Sequence, residues 1–476
     1  MALKSDSTQA SKLHLLAEEV VGRALRAGAS EAEAVGFEGE EFAVNVRLGQ
    51  VEQLTESGSG ALGLRVFCAG EGGQRTASTS TSDLSRDGIE RLVNGAVELA
   101  KVTGVDPFAG LPEREAFGSN DIKSLALYFD DVNEISTEER IDMARRCEAA
   151  AMSFDARIQN SSGADFDASS SRRVMVNSRG FAREYRRSYC GFSVTPIAQD
   201  ASGAMQRDYW YSSARTSRLL DTPENVGRKA AERALRRLGA RRVLTQQCPV
   251  VFAPEIARGL MGNLLNAANG DSIYRNASMF SGKLGEQVAG ENITMVDDGT
   301  MVFEHALPDG STLKVGGFGT SPFDGDGLPT RRTVVVERGI LRELMLNTYT
   351  ARKLNMTSTG KASRGLAGAP GIGGGNFFLE AGSQTPEEII GGVQNGLYVL
   401  QTMGFGVNLV TGDYSQGASG LWIENGELAY PVEQITIAGN LKDMFRNVSA
   451  IGNDLEFRGA GAVPTVRIEG MTVAGS

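Results

Sequence analysis

The spacing of apolar residues predicts four helices in the first half of the chain. In the first, at about 12–27, Leu13, Leu16 and Val20 recur at intervals of three and four residues and so form one apolar face. The other three predicted helices cover about 84–101, 136–152 and 222–238. The third begins at Ser136 with a capping-box pattern, and the fourth has Pro223 at its first position.

Alternating apolar and polar residues predict strands between and after these helices. Short strands are indicated at 32–37, 42–48, 51–55, 61–69 and 74–80. Four longer runs, ending near residue 216, carry arginine among valine and tyrosine, which is typical of an antiparallel sheet with one face in water. Beyond about residue 243 glycine becomes dense, and hairpins are predicted at 334–341 and at 421–428.

These elements predict an α+β fold, with N-terminal helices on a twisted antiparallel sheet and a β-rich C-terminal domain that holds a buried helix. The buried helix is expected at about 255–269, where Ile256, Leu260 and Leu264 form an apolar stripe. The change to glycine-rich hairpins places a domain boundary near residue 240. The predicted units are an N-terminal α/β subdomain at 1–115, a central long-stranded sheet subdomain at 116–240 and the C-terminal domain at 241–476.

Composition and charge exclude several classes of protein. The chain has 476 residues, of which 41% are hydrophobic and 22% charged, as in ordinary globular proteins. Its net charge of −10 argues against nucleic-acid binding, and no window approaches the roughly 18–20 apolar residues that span a bilayer. The N-terminus lacks an apolar signal core, and the four cysteines are far apart in sequence. We therefore expect a cytoplasmic protein without a disulfide framework.

Histidine is the most informative residue because the chain has only His14 and His305. A catalytic zinc usually takes three protein ligands, most of them histidine, and these two are far apart in sequence. The sequence therefore predicts no metal site and no catalytic residues in this chain. A Ser-His-Asp triad is disfavoured for the same reason, whereas a serine, threonine or lysine nucleophile stays open.

Three other patterns have simpler interpretations than a catalytic one. The glycine-rich stretch 363–376 lacks the strand–helix context of a phosphate-binding loop and is interpreted as a flexible surface loop. The basic cluster at 228–242 is interpreted as a solvated helix face. The acid pairs Asp297-Asp298 and Asp324/Asp326 stand beside glycine, and turn chemistry explains them.

Several long segments resemble the TldE/PmbA type of the TldD/PmbA family, also named the modulator of gyrase group. The matching segments are 59–66, 77–82, 106–112, 347–354, 411–420 and 430–444. The resemblance implies two subunit types of one fold, whose pair encloses a chamber where unfolded or short peptides are cut. TldD-type chains carry a His-Glu-x-x-x-His helix and a later cysteine that hold zinc, and TldE-type chains lack them.

The resemblance also indicates which subunit type this chain is. The zinc helix of the TldD type falls on 261–266 of this chain, which is Met-Gly-Asn-Leu-Leu-Asn, and no cysteine follows Cys248. None of these residues is a usual zinc ligand. The expected cofactor is therefore none in this chain, with zinc and a general-base glutamate on a TldD-type partner in a heterodimer.

The expected function is assembly with that zinc subunit and presentation of peptide substrates. Residues expected to line the peptide path are Tyr349, Arg352, Asp413 and Tyr414, which lie in or beside the family-like segments. Two alternatives stay open, a homodimeric peptide-binding protein without a peptidase role and a self-sufficient hydrolase that uses no metal. Nucleic-acid and membrane partners are not expected.

Overall fold

The computed structural model describes residues 10–475, which fold into helices laid on sheets. The helices are α1 (Lys12–Arg26), α2 (Arg86–Val102), α3 (Asp131–Glu134), α4 (Thr137–Met152), α5 (Pro223–Leu235), α6 (Pro254–Ala267), α7 (Gly270–Tyr274), α8 (Thr348–Lys353), α9 (Pro386–Gly391) and α10 (Leu441–Arg446). The four helices predicted in the first half are confirmed as α1, α2, α4 and α5. The capping box at Ser136 and the first-position Pro223 are both present.

The first half of the chain forms one seven-stranded antiparallel sheet. Its strands are β1 (Glu31–Arg47), β2 (Gln50–Gly70), β3 (Gly73–Thr81), β4 (Ile158–Asn177), β5 (Ala182–Gln199), β6 (Met205–Arg207) and β7 (Trp210–Ala214). The spatial order is β3-β2-β1-β4-β5-β6, and β7 also pairs with β5. This sheet joins strands from the segments 1–115 and 116–240, because β1 pairs with β4.

The sequence predicted more and shorter strands in the first sheet than the structure contains. The segments 32–37 and 42–48 belong to one strand, β1, and 51–55 and 61–69 belong to β2. The polar and glycine residues between them resemble turns in the sequence. They remain extended because β1 is paired with β2 on one side and with β4 on the other along the same stretch, so its backbone groups are satisfied in place.

All four long N-terminal helices lie on one face of this sheet. On β1, the even-numbered Ala32 and Ala34 pack with α1 and α2, and the even-numbered Phe42 and Val44 pack with α4 and α5. The other face was predicted to be wet, and this holds only in part, because Asp167 on β4 is exposed whereas other positions are covered. Val35 belongs to a buried cluster with Met175, Tyr185 and Phe323, so residues of the second half cover part of that face.

The second half contains β8 (Gln246–Phe252), β9 (Met295–Asp298), β10 (Val302–Ala306), β11 (Thr312–Gly316), β12 (Arg332–Glu337), β13 (Ile340–Leu341), β14 (Ala362–Ser363), β15 (Gly371–Ile372), β16 (Asn376–Leu379), β17 (Asn395–Met403), β18 (Asp413–Glu424), β19 (Glu427–Asn440), β20 (Val448–Ile451), β21 (Gly461–Ala462) and β22 (Val466–Ala474). One sheet has the order β19-β18-β17-β8-β22-β20, and β19 also pairs with β22, so five strands close into a ring. A second sheet has the order β13-β12-β9-β16-β21. The two predicted hairpins are confirmed as β12–β13 and β18–β19.

The α+β class and the buried helix of the second half are confirmed. α6 covers Pro254–Ala267, and Leu260, Met261 and Leu264 on it are at most 3% exposed. They pack in one large core together with side chains from both C-terminal sheets. Among the described residues, none of the helices has the length and apolar character needed to cross a membrane.

Contact between the two halves gives a first testable prediction at Gly63 on β2. A methyl group added there would overlap the backbone carbonyl of Leu366, whereas one added at Gly58 on the same strand meets no atom within 4 Å. We expect Gly63→Ala to lower the free energy of unfolding by about 1–3 kcal/mol, as overpacking against fixed backbone does. Urea unfolding measures this. Gly58→Ala is the matched control and should leave the urea midpoint unchanged or slightly raised.

Candidate functional site

A cleft runs along the side of α6 that faces away from the core. Its cavity has a volume of about 360 Å³. Arg258, Gly259, Gly262 and Asn266 line it from the helix, and the loop 372–374 lies opposite. These helix positions recur at intervals of three and four residues, so they form a second face beside the buried one.

The face of α6 that lines the cleft carries small residues and leaves open space beside them. An added methyl group at Gly259 would meet no atom within 4 Å, and at Gly262 it would meet only the ring of Phe377 at 3.9 Å. Asn266 is exposed. The amide side chain of Asn266 is therefore accessible in an open cleft, which suits hydrogen bonding to a polar chain better than acid–base chemistry.

A buried ion pair forms part of the cleft wall. Asp297, at the end of β9, lines the cavity and is fully buried, and its carboxylate accepts a hydrogen bond from the ammonium group of Lys361. The same carboxylate accepts the backbone N–H of Gly375 at 2.7 Å. Asp297 is therefore engaged on both oxygens. Its interpretation as a turn residue was wrong, because the glycine after Asp298 marks the turn and Asp297 itself points into the protein.

The second acid pair does support a turn, as the sequence indicates. Asp324 accepts the backbone N–H groups of Asp326 and Leu328, both at 2.9 Å, and thereby holds the turn between them. Its other oxygen accepts the N–H of Ala362 at 3.0 Å, beside Lys361. Burial, with a contribution from the Asp326 carboxylate, raises the pKa of Asp324 to about 7. Asp324 therefore secures the start of β14, next to Lys361.

The residues around α6 do not fit a zinc ion. Among the described residues that line the cleft there is no imidazole or thiol, and the one carboxylate is occupied by Lys361. His14 lies on α1 beside Glu184, and His305 lies on β10. The four cysteines are buried free thiols, and burial raises the pKa of Cys190 to about 12. Within residues 10–475 no group of three or more histidine, cysteine, aspartate or glutamate side chains could hold a metal ion.

Two of the four residues predicted to line the peptide path connect the two halves of the chain. The hydroxyl of Tyr349, on α8, donates to Asp106 at 2.7 Å. Arg352, on the same helix, donates to the carbonyls of Phe108, Gly110 and Leu111. Both side chains thus hold the segment 106–111 against α8.

The other two residues of that prediction lie at the start of β18. Tyr414 is 3% exposed within the large C-terminal core, and Asp413 is exposed and accepts a hydrogen bond from Thr411 at 2.6 Å. None of the four is among the residues that line the α6 cavity. Their role along a peptide path stays a prediction.

The interpretation of 363–376 as a surface loop fits its exposed middle, at 367–369, but was wrong near both ends. Arg364 has no exposed side-chain surface and forms an ion pair with Glu33 of β1 at 2.6 Å. Asn376 is also fully buried, and its side chain bonds the hydroxyl of Thr320 and the N–H of Gly319, both at 2.8 Å. The segment therefore closes the seam between the two halves. No helix follows it, which agrees with the rejection of a phosphate loop.

The interpretation of the basic cluster at 228–242 as a solvated helix face was also only partly right. Arg233, on α5, is 8% exposed and forms ion pairs with Asp208 at 3.4 Å and with Glu255 at 3.0 Å. Arg237 donates to Gln401 of β17 at 2.9 Å. The end of α5 and the residues just after it thus contact the second half of the chain, a role that the neighbouring acids in sequence do not indicate.

An apolar loop between β17 and β18 is a surface feature that the sequence interpretation missed. We call residues 403–410 the Phe405 loop. Phe405 is fully exposed, and Met403 and Val410 are 55% and 51% exposed. The loop is held in place because the N–H of Ser415 donates to the carbonyl of Gly406 at 2.6 Å. A phenylalanine between two glycines, Gly404 and Gly406, is the pattern that could have indicated it.

Family models match almost the whole length of the chain. A model described as the PmbA/TldA metallopeptidase domain 1 matches residues 32–100. The corresponding central domain matches 130–238, and the C-terminal domain matches 245–475. A protein named metalloprotease PmbA from Escherichia coli O157:H7 is 37% identical over 461 residues, which cover 96% of each chain.

Solved structures with the same architecture cover both halves together. A protein from Bacteroides thetaiotaomicron, described as a candidate modulator of DNA gyrase, superposes with a TM-score of 0.87 at 25% identity and covers 97% of this chain and 98% of its own. TldE from Thermococcus kodakarensis superposes with a TM-score of 0.81 at 20% identity and covers 97% of this chain and 100% of its own. The latter likeness concerns the fold alone.

Proposed function

Since this chain belongs to the PmbA/TldD family, we propose that it is the metal-free subunit of a zinc metallopeptidase whose other subunit is a TldD-type chain. The face of α6 carries the argument. At the helix that holds zinc in the TldD type, this chain has glycine and asparagine, and its cleft carboxylate is neutralised by Lys361. The partner would supply both the zinc and the general-base glutamate.

The Phe405 loop supports the assembly part of this proposal. Exposed apolar side chains that cluster on a rigid loop are typical of protein–protein contacts, because removing them from water stabilises the complex. Phe405, Met403 and Val410 are three exposed apolar side chains within eight residues of sequence. We expect the TldD-type subunit to cover this loop in the heterodimer.

The unpaired edge of β2 supports a role in presenting peptides to the active site of the pair. β2 pairs with β3 only from Leu62 onward, so within residues 10–475 its first part has one unpaired edge, and residues 50–59 are exposed. An extended peptide can add to such an edge through main-chain hydrogen bonds, whatever its side chains. This tolerance suits a peptidase for unfolded or short peptides.

Reconstitution tests the proposed function. The purified chain, a TldD-type chain from the same organism and their mixture are each assayed for zinc by mass spectrometry and for cleavage of an unfolded peptide. We expect zinc in the TldD-type chain and the mixture only, and full cleavage only in the mixture, where a chelator abolishes it. Stoichiometric zinc in the single chain, or cleavage by it that resists the chelator, would contradict the proposal.

The alternative of a homodimer is tested by the same preparations. The Phe405 loop could be covered by a second copy of this chain when the partner is absent, because related subunits of one fold can form similar interfaces. Sedimentation of the single chain measures this. If the homodimer persists when the TldD-type chain is added in excess, the heterodimer is not the assembly this chain forms.

A further inference from the structure

A large cavity lies away from the α6 cleft, at the seam between β7 and the second half of the chain. It has a volume of about 640 Å³, and a neighbouring cavity has about 380 Å³. The two share Tyr211, Glu456 and Arg458 as lining residues, and the second shares Arg258 with the α6 cleft. Together they form a groove from β7 to α6, which we call the β7 groove.

The groove follows the free edge of a strand. β7 pairs with β5 on one side, and within the described part of the chain no strand pairs with its other side. The four consecutive residues 211–214 all line the larger cavity. Because side chains alternate between the two faces of a strand, four in a row indicate that the cavity lies beside the strand edge. An extended chain could therefore add to β7 there.

Positive charge accumulates in the second part of the groove without matching carboxylates. Lys229, Arg236 and Arg258 line it, and none of the three has an ion-pair partner among residues 10–475. Two guanidinium nitrogens of Arg236 are buried without a hydrogen-bond acceptor. Burial, with the nearby charge of Arg233, lowers the pKa of Arg236. The positive charge of Arg236 is therefore poorly compensated inside the protein, and a negatively charged group beside it would be stabilised.

The carboxylates that line the same part of the groove are already engaged. Glu255 is paired with Arg233 at 3.0 Å, and Glu456 with Arg458 at 2.8 Å. Asp454 accepts two hydrogen bonds from Thr465, at 2.8 and 2.9 Å. A local excess of positive charge in a chain whose net charge is −10 favours an anionic ligand.

Aromatic side chains add apolar surface along the groove. The ring of Trp210 has the guanidinium of Arg458 at 4.5 Å, and Tyr209 and Tyr211 stack with their centroids 6.2 Å apart. Phe303 and Phe457 line the larger cavity at a centroid distance of 5.0 Å. The ligand should therefore carry apolar or aromatic side chains besides its negative charge.

We propose that the β7 groove binds an extended acidic peptide segment, which adds to the edge of β7 and is directed towards the α6 cleft. Its carboxylates would contact Lys229, Arg236 and Arg258, and its apolar side chains the aromatic walls. The proposal rests on the proposed function in that the bound peptide would be a substrate of the pair. Binding is nevertheless measurable on the single chain, so the groove and the heterodimer can fail separately.

Binding of a labelled peptide to the full single chain tests this inference. The probe is a capped, fluorescein-labelled peptide of about ten residues that alternates glutamate with valine and phenylalanine, long enough to pair with β7 and reach the cations. Fluorescence anisotropy gives the Kd. We expect Lys229→Gln and Arg258→Gln each to weaken binding by about tenfold, as the loss of one charge contact does. The matched control is Arg228→Gln, the exposed neighbour on α5, which should leave the Kd unchanged.

Tryptophan emission locates the bound peptide. The chain has two tryptophans, and Trp422 is only 2% exposed, so a change on titration with an unlabelled peptide reports Trp210. We expect the change to disappear in Trp210→Phe. Equal Kd values for Lys229→Gln and Arg228→Gln, equal binding of a peptide with lysine in place of glutamate, or full competition by a single-stranded oligonucleotide would each overturn the proposal.

Discussion

Replacing Lys361 with methionine is expected to lower the free energy of unfolding by about 3–5 kcal/mol, the cost of leaving a buried charge without its partner. Lys361 is 3% exposed and Asp297 is fully buried, so water cannot replace the lost ammonium group. Denaturant unfolding with intrinsic fluorescence measures the loss. The loop 372–375 should also loosen, because the Gly375 N–H donates to the same carboxylate.

The control for this prediction is another lysine–carboxylate ion pair, at the surface of the protein. Lys314 and Glu304 are 3.0 Å apart, with side chains 66% and 60% exposed. Lys314→Met should change the free energy of unfolding by less than about 1 kcal/mol, because exposed pairs contribute little. The double variant Lys361→Met/Asp297→Asn should recover part of the loss. If Lys361→Met is no more destabilising than Lys314→Met, the pair does not hold the cleft wall.

The elements that could be predicted from the sequence are those whose caps, turns and apolar pattern lie within one short segment. α4 has its capping residues and apolar stripe within one segment, and the β18–β19 hairpin has Asn425-Gly426 at its turn. The sequence does not show that β1 and β2 are each one long strand and not two short ones, because residues such as Gly39 and Gly58 favour turns in isolation. Pairing with distant β4 decides the conformation of β1, and that pairing spans more than a hundred residues of sequence.

The sequence predicts which residue types the candidate site contains, but not which residues contact one another there. The absence of ligands on 261–266 follows from residue identity once the resemblance is recognised. The Lys361–Asp297 pair joins residues 64 apart, and Arg364 reaches Glu33 on the first sheet. No periodicity links such residues, since only tertiary packing brings them together. The same holds for the β7 groove, which is assembled from both halves of the chain.

The largest expected effect on assembly is that Phe405→Asp weakens the complex with the TldD-type subunit by at least about thirtyfold, or about 2 kcal/mol of binding free energy. Phe405 is fully exposed on a loop fixed by the Gly406–Ser415 hydrogen bond, so it can enter a partner's pocket with little loss of conformational entropy. An aspartate there would instead carry a charge into an apolar contact. Isothermal titration with the TldD-type chain measures the affinity.

Two controls distinguish loss of the subunit contact from loss of folding and from a general loss of exposed apolar surface. Because the Phe405 side chain is fully exposed, the variant should keep the thermal midpoint of the parent, which circular dichroism checks. Leu244 is 76% exposed and lies outside the Phe405 loop, so Leu244→Asp removes a similar apolar surface elsewhere and should leave the affinity unchanged. Equal affinities of the two variants for the TldD-type chain would mean that the Phe405 loop is not the subunit interface. A large loss for Phe405→Asp alone, together with a matching loss of peptide cleavage in the mixture, would tie assembly at this loop to activity.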